Sequence, residues 1–202
     1  PEEIDPAVTA RVPVSISYDS CYFADKYQGV PSKGFTHLFE NMLHHDRISV
    51  RLNTEAKDVL AIRDDKLYFK GELFDGKVIF TGPIDEFFGC KYGRLPYRTL
   101  EFVFEHLKQD DFQGHSVVNY TVDEDYTRIT EYKHLTGQTC EGTTISKEYP
   151  AAYTGDVGQI PYYAIANAEN EALYQKYREE VSSVPNFYLL GRLAEYRYYN
   201  ID

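Results

Sequence analysis

The sequence contains no tryptophan, one methionine and three cysteines, and it has no long apolar run. Cys21, Cys90 and Cys140 are widely spaced and odd in number, so they match neither a disulfide framework nor a CxxC or CxxH zinc pattern. We therefore expect free thiols, no bound metal and a reducing compartment. There is neither a signal peptide nor a stretch of roughly 20 apolar residues, so we expect no membrane insertion and a cytoplasmic location.

Basic residues are also scarce: 21 lysines and arginines stand against 32 acidic residues, which gives a net charge of −11. Nucleic acids and anionic membranes bind through broad basic faces, so this balance argues against nucleic acid as a partner. It leaves room for a local basic pocket that binds one diphosphate. The motifs GxGxxG, GxxxxGK[ST], GxSxG and HExxH are absent as well.

The sequence is rich in aromatic residues, with 19 tyrosines and 12 phenylalanines, and its hydrophobic content of 43% is enough for a core. Helical spacing of apolar residues predicts helices at Ser32–His45, with Ser32 as N-cap, and at Asn167–Ser182. A further short helix is predicted at Ile84–Phe88. Alternating or β-branched segments predict strands at Arg11–Tyr18, Ile48–Leu52, Val59–Ile62, Leu67–Phe69, Lys77–Phe80, Tyr97–Phe104, Gly114–Thr121, Tyr126–His134, Thr143–Tyr149 and Phe187–Leu190.

Short turns join most of these predicted strands. Asp64–Asp65 is one turn signal, and Asp75–Gly76 is a hairpin signal. Consecutive strands joined by short turns indicate an α+β fold with a mainly antiparallel sheet and flanking helices.

Arginine and tyrosine recur together in three clusters, at Lys91–Arg98, Tyr126–Arg128 and Gly191–Tyr199. Arginine offers phosphate a bidentate fork, and tyrosine adds neutral donors and a ring that stacks on a base or sugar. Arg128 shares a predicted strand face with Tyr126 and Thr130. The interpretations that stay open are a pocket for an anionic ligand, a solvated strand face, or an ion pair of Arg128 with Glu131 or Asp125.

Several long blocks of the chain, in the same order, resemble the UDP-galactopyranose mutase family. They are RVPVSISYDSCYFADKYQGVPSKGFTHLFE from Arg11, FTGPIDEFFGCKYGRLPYRTLEF from Phe80, VVNYTVDEDYTRITEYKH from Val117, KEYP from Lys147, IPYYAI from Ile160 and GRLAEYRYYNID from Gly191. The resemblance runs through nearly all 202 residues.

The resemblance implies a split Rossmann-like domain that holds FAD, a helical bundle and an antiparallel sheet of about six strands. We expect residues 1–202 to form a single unit, the substrate-side sheet domain, with partial FAD-domain segments near 32–82 and 160–202. We expect this chain to lack the Gly-rich N-terminal FAD-binding unit and the helix after Asp202. On that basis the isolated chain is expected to be inactive and to contain no FAD.

The function that the resemblance implies is an isomerase that interconverts UDP-galactopyranose and UDP-galactofuranose, a precursor of cell-surface polysaccharide. Reduced FAD acts there as a nucleophile, through an adduct between the flavin N5 and the sugar. The alternative is a nucleotide-sugar binding module without catalysis. A flavin-dependent enzyme related to amine oxidases would lack the GRLPYRTLEF and YTRITEYKH blocks. Homodimer formation is left open by the sequence.

Residue by residue, the resemblance implies three kinds of site. The catalytic residues that contact the diphosphate are Arg11 and Arg128. The substrate-binding residues are Tyr22, Asn119, Tyr198, Arg98 and one of the pair Tyr162 and Tyr163, between which the sequence does not decide. The cofactor-binding residues are Gly191, Arg192, Arg94 and Asn200. Asn200 stands where the family pattern YRYLDMD has an aspartate, so it keeps the hydrogen-bonding shape and loses the charge.

Overall fold

The computed structural model describes residue 18 and residues 25–120 and 122–199 of the chain. Two compact units are formed, Pro1–His44 and His45–Asp202. The assignment of substrate-side and FAD-domain segments within them stays a prediction. In the first unit helix α1 spans Gly34–Leu43, so the predicted helix is confirmed. Its N-cap is Lys33 rather than Ser32, and no side chain caps it. Apart from Tyr18, the predicted strand Arg11–Tyr18 lies outside the described residues.

The second unit begins with a short helix and a small antiparallel sheet. The elements are α2 (Ala56–Val59), β1 (Leu60–Arg63), β2 (Lys66–Phe69) and β3 (Glu72–Leu73). Asp64 and Asp65 both have positive φ, at 49° and 57°, as a two-residue type I′ turn requires, so the predicted turn is confirmed. The predicted strand Ile48–Leu52 is wrong, because that segment has no strand pairing.

The predicted hairpin at Asp75–Gly76 is also wrong. The turn that follows β2 lies at Lys70–Gly71, where both residues have positive φ. Strand β4 (Val78–Phe80) pairs instead in parallel with β10 (Phe187–Leu189), more than 100 residues later. This parallel pair is the one departure from antiparallel pairing in the described part of the chain, and a helix precedes its second strand.

Two helices pack beside this parallel pair: α3 (Ile84–Phe87) and α5 (Ala168–Ser182). Helix α5 begins where its sequence predicts, because the Asn167 side chain accepts a hydrogen bond from the Asn170 amide at 2.8 Å. Its buried side chains, Asn170, Tyr174, Tyr177 and Val181, follow helical spacing and turn one face towards the core.

The core of the second unit lies between α3, α5, the parallel pair and the start of the large sheet. Its buried apolar residues are Leu67, Phe80, Ile84, Leu95, Tyr97, Tyr174, Tyr177, Val181, Val184, Phe187, Ala194 and Tyr196. Phe80 packs on Phe187 across the parallel pair, with 5.9 Å between ring centroids. Burial of these rings attaches the last described segment of the chain to the sheet domain.

The large sheet has five strands in the described part of the chain, in the order β6-β7-β8-β5-β9, and every pairing is antiparallel. The strands are β5 (Tyr97–Leu107), β6 (Val117–Asn119), β7 (Arg128–Glu131), β8 (Thr143–Ala152) and β9 (Tyr163–Ala164). The predicted α+β class with a mainly antiparallel sheet is thus confirmed. Strand β7 ends earlier than predicted, because helix α4 (Tyr132–Thr136) follows it and ends at Gly137 in the left-handed conformation.

Within the described residues, none of the helices is both long enough and apolar enough to span a bilayer.

Candidate functional site

The register of the large sheet aligns four side chains in one row. Asn119 on β6 lies opposite Arg128 on β7, Arg128 lies opposite Glu148 on β8, and Glu148 lies opposite Phe102 on β5. Directly opposed residues point to the same side of a sheet, so the row lies on one face. Three strand spacings of about 4.8 Å give the row a length of roughly 14 Å.

Arg128 is held at the centre of this row by two neighbours. Its Nε donates a hydrogen bond to Asn119 Oδ1 at 3.0 Å, and its Nη1 lies 3.8 Å from Glu148 Oε2. The Arg128 side chain is 43% exposed, whereas the Glu148 side chain is 12% exposed. The hydrogen bond at Nε orients the guanidinium, and because the ion pair with Glu148 is long, part of the guanidinium still faces solvent. That arrangement suits an anion that arrives from outside.

Arg98 extends the same face towards the other edge of the sheet. It lies two pleats from Phe102 on β5, and it is directly opposite Tyr163 on β9. The Tyr162 amide donates to the Arg98 carbonyl at 2.9 Å, and the Tyr162 ring lies 6.1 Å from that of Phe102. We call this surface the arginine face and define it as Arg98, Phe102, Asn119, Arg128, Glu148 and Tyr163.

Of the undecided tyrosine pair, Tyr163 therefore belongs to the arginine face and Tyr162 lies beside it. Tyr163 is 40% exposed, and the partly buried Tyr162 packs on Phe102 with its ring 6.4 Å from that of Tyr163. Which of the two contacts a diphosphate stays a prediction.

The turn after β10 brings together two more of the predicted residues. The Arg192 guanidinium lies over the Tyr198 ring, 6.0 Å from its centroid. Gly191 has φ of 90°, a conformation that favours glycine, and among the described residues other than its two chain neighbours no atom lies within 4 Å of the point that a Cβ would occupy. A flat ligand therefore has room to approach this backbone closely. The Tyr97 hydroxyl donates to the Leu193 carbonyl at 3.2 Å, which anchors the turn at the start of β5 next to Arg98.

Arg94 does not lie on the arginine face but in a cluster at the start of β5. Its Nη1 is 2.9 Å from Glu86 Oε1, and its guanidinium lies over the Tyr153 ring at 5.6 Å. A Cβ on Gly155 would lie 2.5 Å from the guanidinium, so another residue there would displace the end of the Arg94 side chain, and the Gly155 φ of 82° also favours glycine. Burial, and then a 2.6 Å hydrogen bond to Glu86, raise the pKa of Tyr153 to about 12. The predicted cofactor role of Arg94 is not tested by these contacts.

One group of potential metal ligands occurs among the described residues: Asp111, Glu131 and His134 offer ligand atoms within 4.8 Å of one another. Protein donors already use these carboxylates. Glu131 accepts hydrogen bonds from the Phe112 and Gln113 amides and from the Thr143 hydroxyl, at 3.0, 2.9 and 2.7 Å. Burial opposes ionisation of Glu131, but these hydrogen bonds outweigh it and lower its pKa. The group is best described as a hydrogen-bonded network.

Three of the predicted site residues, Arg11, Tyr22 and Asn200, lie outside the described residues. Conversely, Glu148 and Phe102 were not predicted to belong to the site. Glu148 is the ion-pair partner of Arg128, in place of the expected Glu131 or Asp125. The sequence indicated the KEYP block that contains Glu148 and the strand around it. It did not indicate the register that sets Glu148 opposite Arg128.

Comparison with known proteins gives consistent matches along the whole chain. The family model described as UDP-galactopyranose mutase matches residues 1–198. UDP-galactopyranose mutase of Mycoplasma pneumoniae is 37% identical over 206 residues, which cover 100% of this chain and 51% of that protein. dTDP-fucopyranose mutase of Escherichia coli is 37% identical, covering 100% of this chain and 52% of that protein.

A probable UDP-galactopyranose mutase of Klebsiella pneumoniae is 38% identical, over 100% of this chain and 50% of that protein. The chain thus spans about half the length of the curated relatives that it matches. Because the family model covers nearly the entire sequence, the chain belongs to the UDP-galactopyranose mutase family.

Proposed function

We propose that the whole protein is a nucleotide-sugar mutase that interconverts UDP-galactopyranose and UDP-galactofuranose, and that the arginine face binds the diphosphate of its substrate. The observation that carries the proposal is the half-exposed Arg128, held by Asn119 and Glu148 in a chain of net charge −11. An oriented guanidinium in an acidic protein is a specific site for an anion rather than part of a general basic surface.

The named relatives support a diphosphate at this position. One acts on a UDP-sugar and another on a dTDP-sugar, according to their names, so a nucleoside diphosphate is common to both. When the bond between the sugar and the diphosphate breaks, negative charge accumulates on the diphosphate oxygens. Arg128 would stabilise that charge through bidentate hydrogen bonds, while Asn119 keeps the guanidinium oriented. Arg98 adds a second cation on the same face.

The residues of the turn after β10 fit a flavin. Open space beside Gly191 and the exposed Arg192 would accept a flat, anionic cofactor such as FAD. When bound, the reduced flavin supplies the nucleophile for the anomeric carbon of the sugar. Tyr198, next to Arg192, is proposed to contact the substrate. Arg11, Tyr22 and Asn200 keep the roles that the family resemblance assigns to them.

The experiment compares wild-type protein with Arg128→Ala in the whole protein. We expect the wild type to convert UDP-galactofuranose with dithionite-reduced flavin, and Arg128→Ala to lose at least about a hundredfold in kcat/KM while it retains flavin. Arg63→Ala is the matched control, because Arg63 is an exposed arginine on the small sheet, stacked on Tyr68. Equal turnover of Arg128→Ala and wild type would disprove the role of Arg128.

Calorimetric titration with UDP separates the mutase from a binding module. If the whole protein binds UDP but converts no sugar with reduced flavin, the binding-module alternative replaces the proposal. For the isolated 202-residue chain, we expect weak or no UDP binding and no flavin absorbance. Yellow colour in the purified chain would contradict this.

A further inference from the structure

Glu195 is the hydrogen-bonding centre of the segment that follows β10. Its Oε2 accepts from the Gly191 amide at 3.0 Å and from the Tyr199 hydroxyl at 2.6 Å, and its Oε1 accepts from Arg197 Nη2 at 3.1 Å. Arg197 Nε also donates to the Tyr199 hydroxyl. The carboxylate therefore joins the first residue of the turn to two residues near the end of the described chain.

A backbone hydrogen bond also links Glu195 to Gly191. The Glu195 amide donates to the Gly191 carbonyl at 3.0 Å, so Gly191 and Glu195 exchange two hydrogen bonds. A carboxylate makes stronger hydrogen bonds than a neutral acceptor, because its charge takes part in each of them. Between the two ends lie Arg192 and, one residue before Tyr199, Tyr198.

Other charged side chains of the described residues lie near Glu195. The carboxylate and Arg197 line a cavity of about 650 Å³ between α5 and β10, to which α5 contributes Glu171 and Arg178. Glu171 accepts a hydrogen bond from Gln175 Nε2 at 2.6 Å within the same helix. Glu171 therefore offers an equal charge in the same cavity without a described hydrogen bond to the turn.

We propose that Glu195 is a positioning residue, which fixes the distance and orientation of the cofactor-facing turn at Gly191–Arg192 relative to the substrate-facing Tyr198. This inference rests on the proposed function, because it assumes the flavin and substrate roles of those residues. The carboxylate touches neither ligand: it acts through the Gly191 amide and the Tyr199 hydroxyl. Loss of Glu195 would thus loosen two binding surfaces at once and leave the buried core in place.

The test uses the whole protein with Glu195→Ala and Glu195→Gln, and with Glu171→Gln as matched control. Flavin affinity is measured by quenching of flavin fluorescence, and KM and kcat are measured at saturating flavin. We expect Glu195→Ala to raise the flavin Kd about tenfold and KM for UDP-galactofuranose about fivefold, with kcat within about twofold of wild type. Glu195→Gln keeps one acceptor oxygen, so it should lie between wild type and Glu195→Ala. The control should match wild type.

A merely structural role would lower the active fraction, and hence kcat, without a change in KM or flavin Kd. That result would overturn the inference. Hydrogen exchange on the flavin-free whole protein adds a readout that needs no ligand: Glu195→Ala should speed exchange of the Gly191 amide, and Glu171→Gln should not. Unchanged exchange also overturns it.

The two proposals fail differently. A wild-type protein that binds flavin and turns over, with Glu195→Ala equal to it in both flavin Kd and KM, overturns only the role of Glu195. A wild-type protein that neither binds flavin nor converts the sugar overturns the proposed function, and the positioning role falls with it.

Discussion

Arg128 Nε donates a 3.0 Å hydrogen bond to Asn119 Oδ1 across the β6–β7 pair. The two residues therefore act together, because the amide oxygen of Asn119 fixes the plane of the Arg128 guanidinium. On the other side, Glu148 draws the same guanidinium towards β8. The orientation of Arg128 depends on this balance between a neutral acceptor and a charged one.

Asn119→Ala should weaken UDP binding although the substitution leaves every charge in place. Without the amide oxygen, Arg128 is free to turn towards Glu148 and must be reoriented when the diphosphate binds. We expect about a fivefold to tenfold rise in the UDP Kd by calorimetry. Asn119→Asp should be worse, since a second carboxylate would neutralise Arg128. An Asn119→Ala protein with wild-type affinity would show that Arg128 needs no such restraint.

Glu148→Gln should act in the opposite direction. The carboxylate is 3.8 Å from Arg128 and repels an incoming diphosphate, so its removal favours the anion. We expect the UDP Kd to fall about threefold to fivefold, with a steeper dependence on salt concentration. Glu105→Gln is a suitable control, because Glu105 pairs with Lys147 rather than with an arginine. Weaker UDP binding by Glu148→Gln would refute the counter-charge role.

Glu131 should make stability depend on acidic pH. Its pKa is lowered in the folded chain, since hydrogen bonds from Thr143 and two backbone amides outweigh burial. A lowered folded pKa gives stability that is present above the unfolded value of about 4.3 and is lost as pH falls through the folded pKa. The difference in melting temperature between wild type and Glu131→Gln should therefore shrink as pH falls from about 6 to about 3. A constant difference would contradict the assignment.

Asp85 should make stability depend on pH in the opposite direction. It is 1% exposed, burial raises its pKa, and its Oδ1 has no hydrogen-bond partner among the described residues. The folded chain then holds the proton more tightly than the unfolded chain, so stability falls as pH rises above about 4. Asp85→Asn should gain stability relative to wild type between about pH 4 and pH 7 in thermal melts. Asp85→Ala tests the role of Oδ2, because it removes the acceptor of the 2.9 Å hydrogen bond from the Leu95 amide.

The Tyr196 hydroxyl should contribute measurably to folding. It donates to the Pro96 carbonyl at 2.6 Å and lies 3.2 Å from the Ile165 carbonyl, while its ring is 1% exposed. Tyr196→Phe should cost about 1 kcal/mol in urea unfolding, because it removes a short hydrogen bond from a buried hydroxyl. The two carbonyls keep other donors, the Ile165 amide at 3.1 Å from the Pro96 carbonyl and Asn170 Nδ2 at 2.6 Å from the Ile165 carbonyl. Tyr97→Phe should cost less, since that hydroxyl has one longer bond, 3.2 Å to Leu193. Equal losses would show that hydrogen-bond length does not govern the effect.

Local signals in the sequence were sufficient for some elements. Helical spacing of apolar residues predicted α5, and alternation predicted β5. The register between distant strands could not be predicted from local pattern. Strand β4 was assigned to a hairpin with its sequence neighbour, whereas its partner is β10. Likewise, the partners expected for Arg128 were close in sequence, whereas Glu148 is 20 residues away and reaches it only through β8.

The site residues show the same division. Residue type and the family resemblance were enough to select Asn119, Arg98 and Arg128, which the fold then sets on one face. The resemblance also selected Arg94, whose described contacts are with Glu86 and Tyr153. Because hydrogen bonds and cradles such as Gly155 arise only after folding, the surroundings of Arg94 could not be predicted from the sequence.

The alignment of Asn119, Arg128, Glu148 and Phe102 on four strands has a consequence for how such a site tolerates change during evolution. The residues meet because of strand register, not because of the length of the segment that links them. Insertions between residues 120 and 127 can therefore accumulate without separating Asn119 from Arg128. One inserted residue inside β8, by contrast, would turn Glu148 to the opposite face and leave Arg128 without its counter-charge.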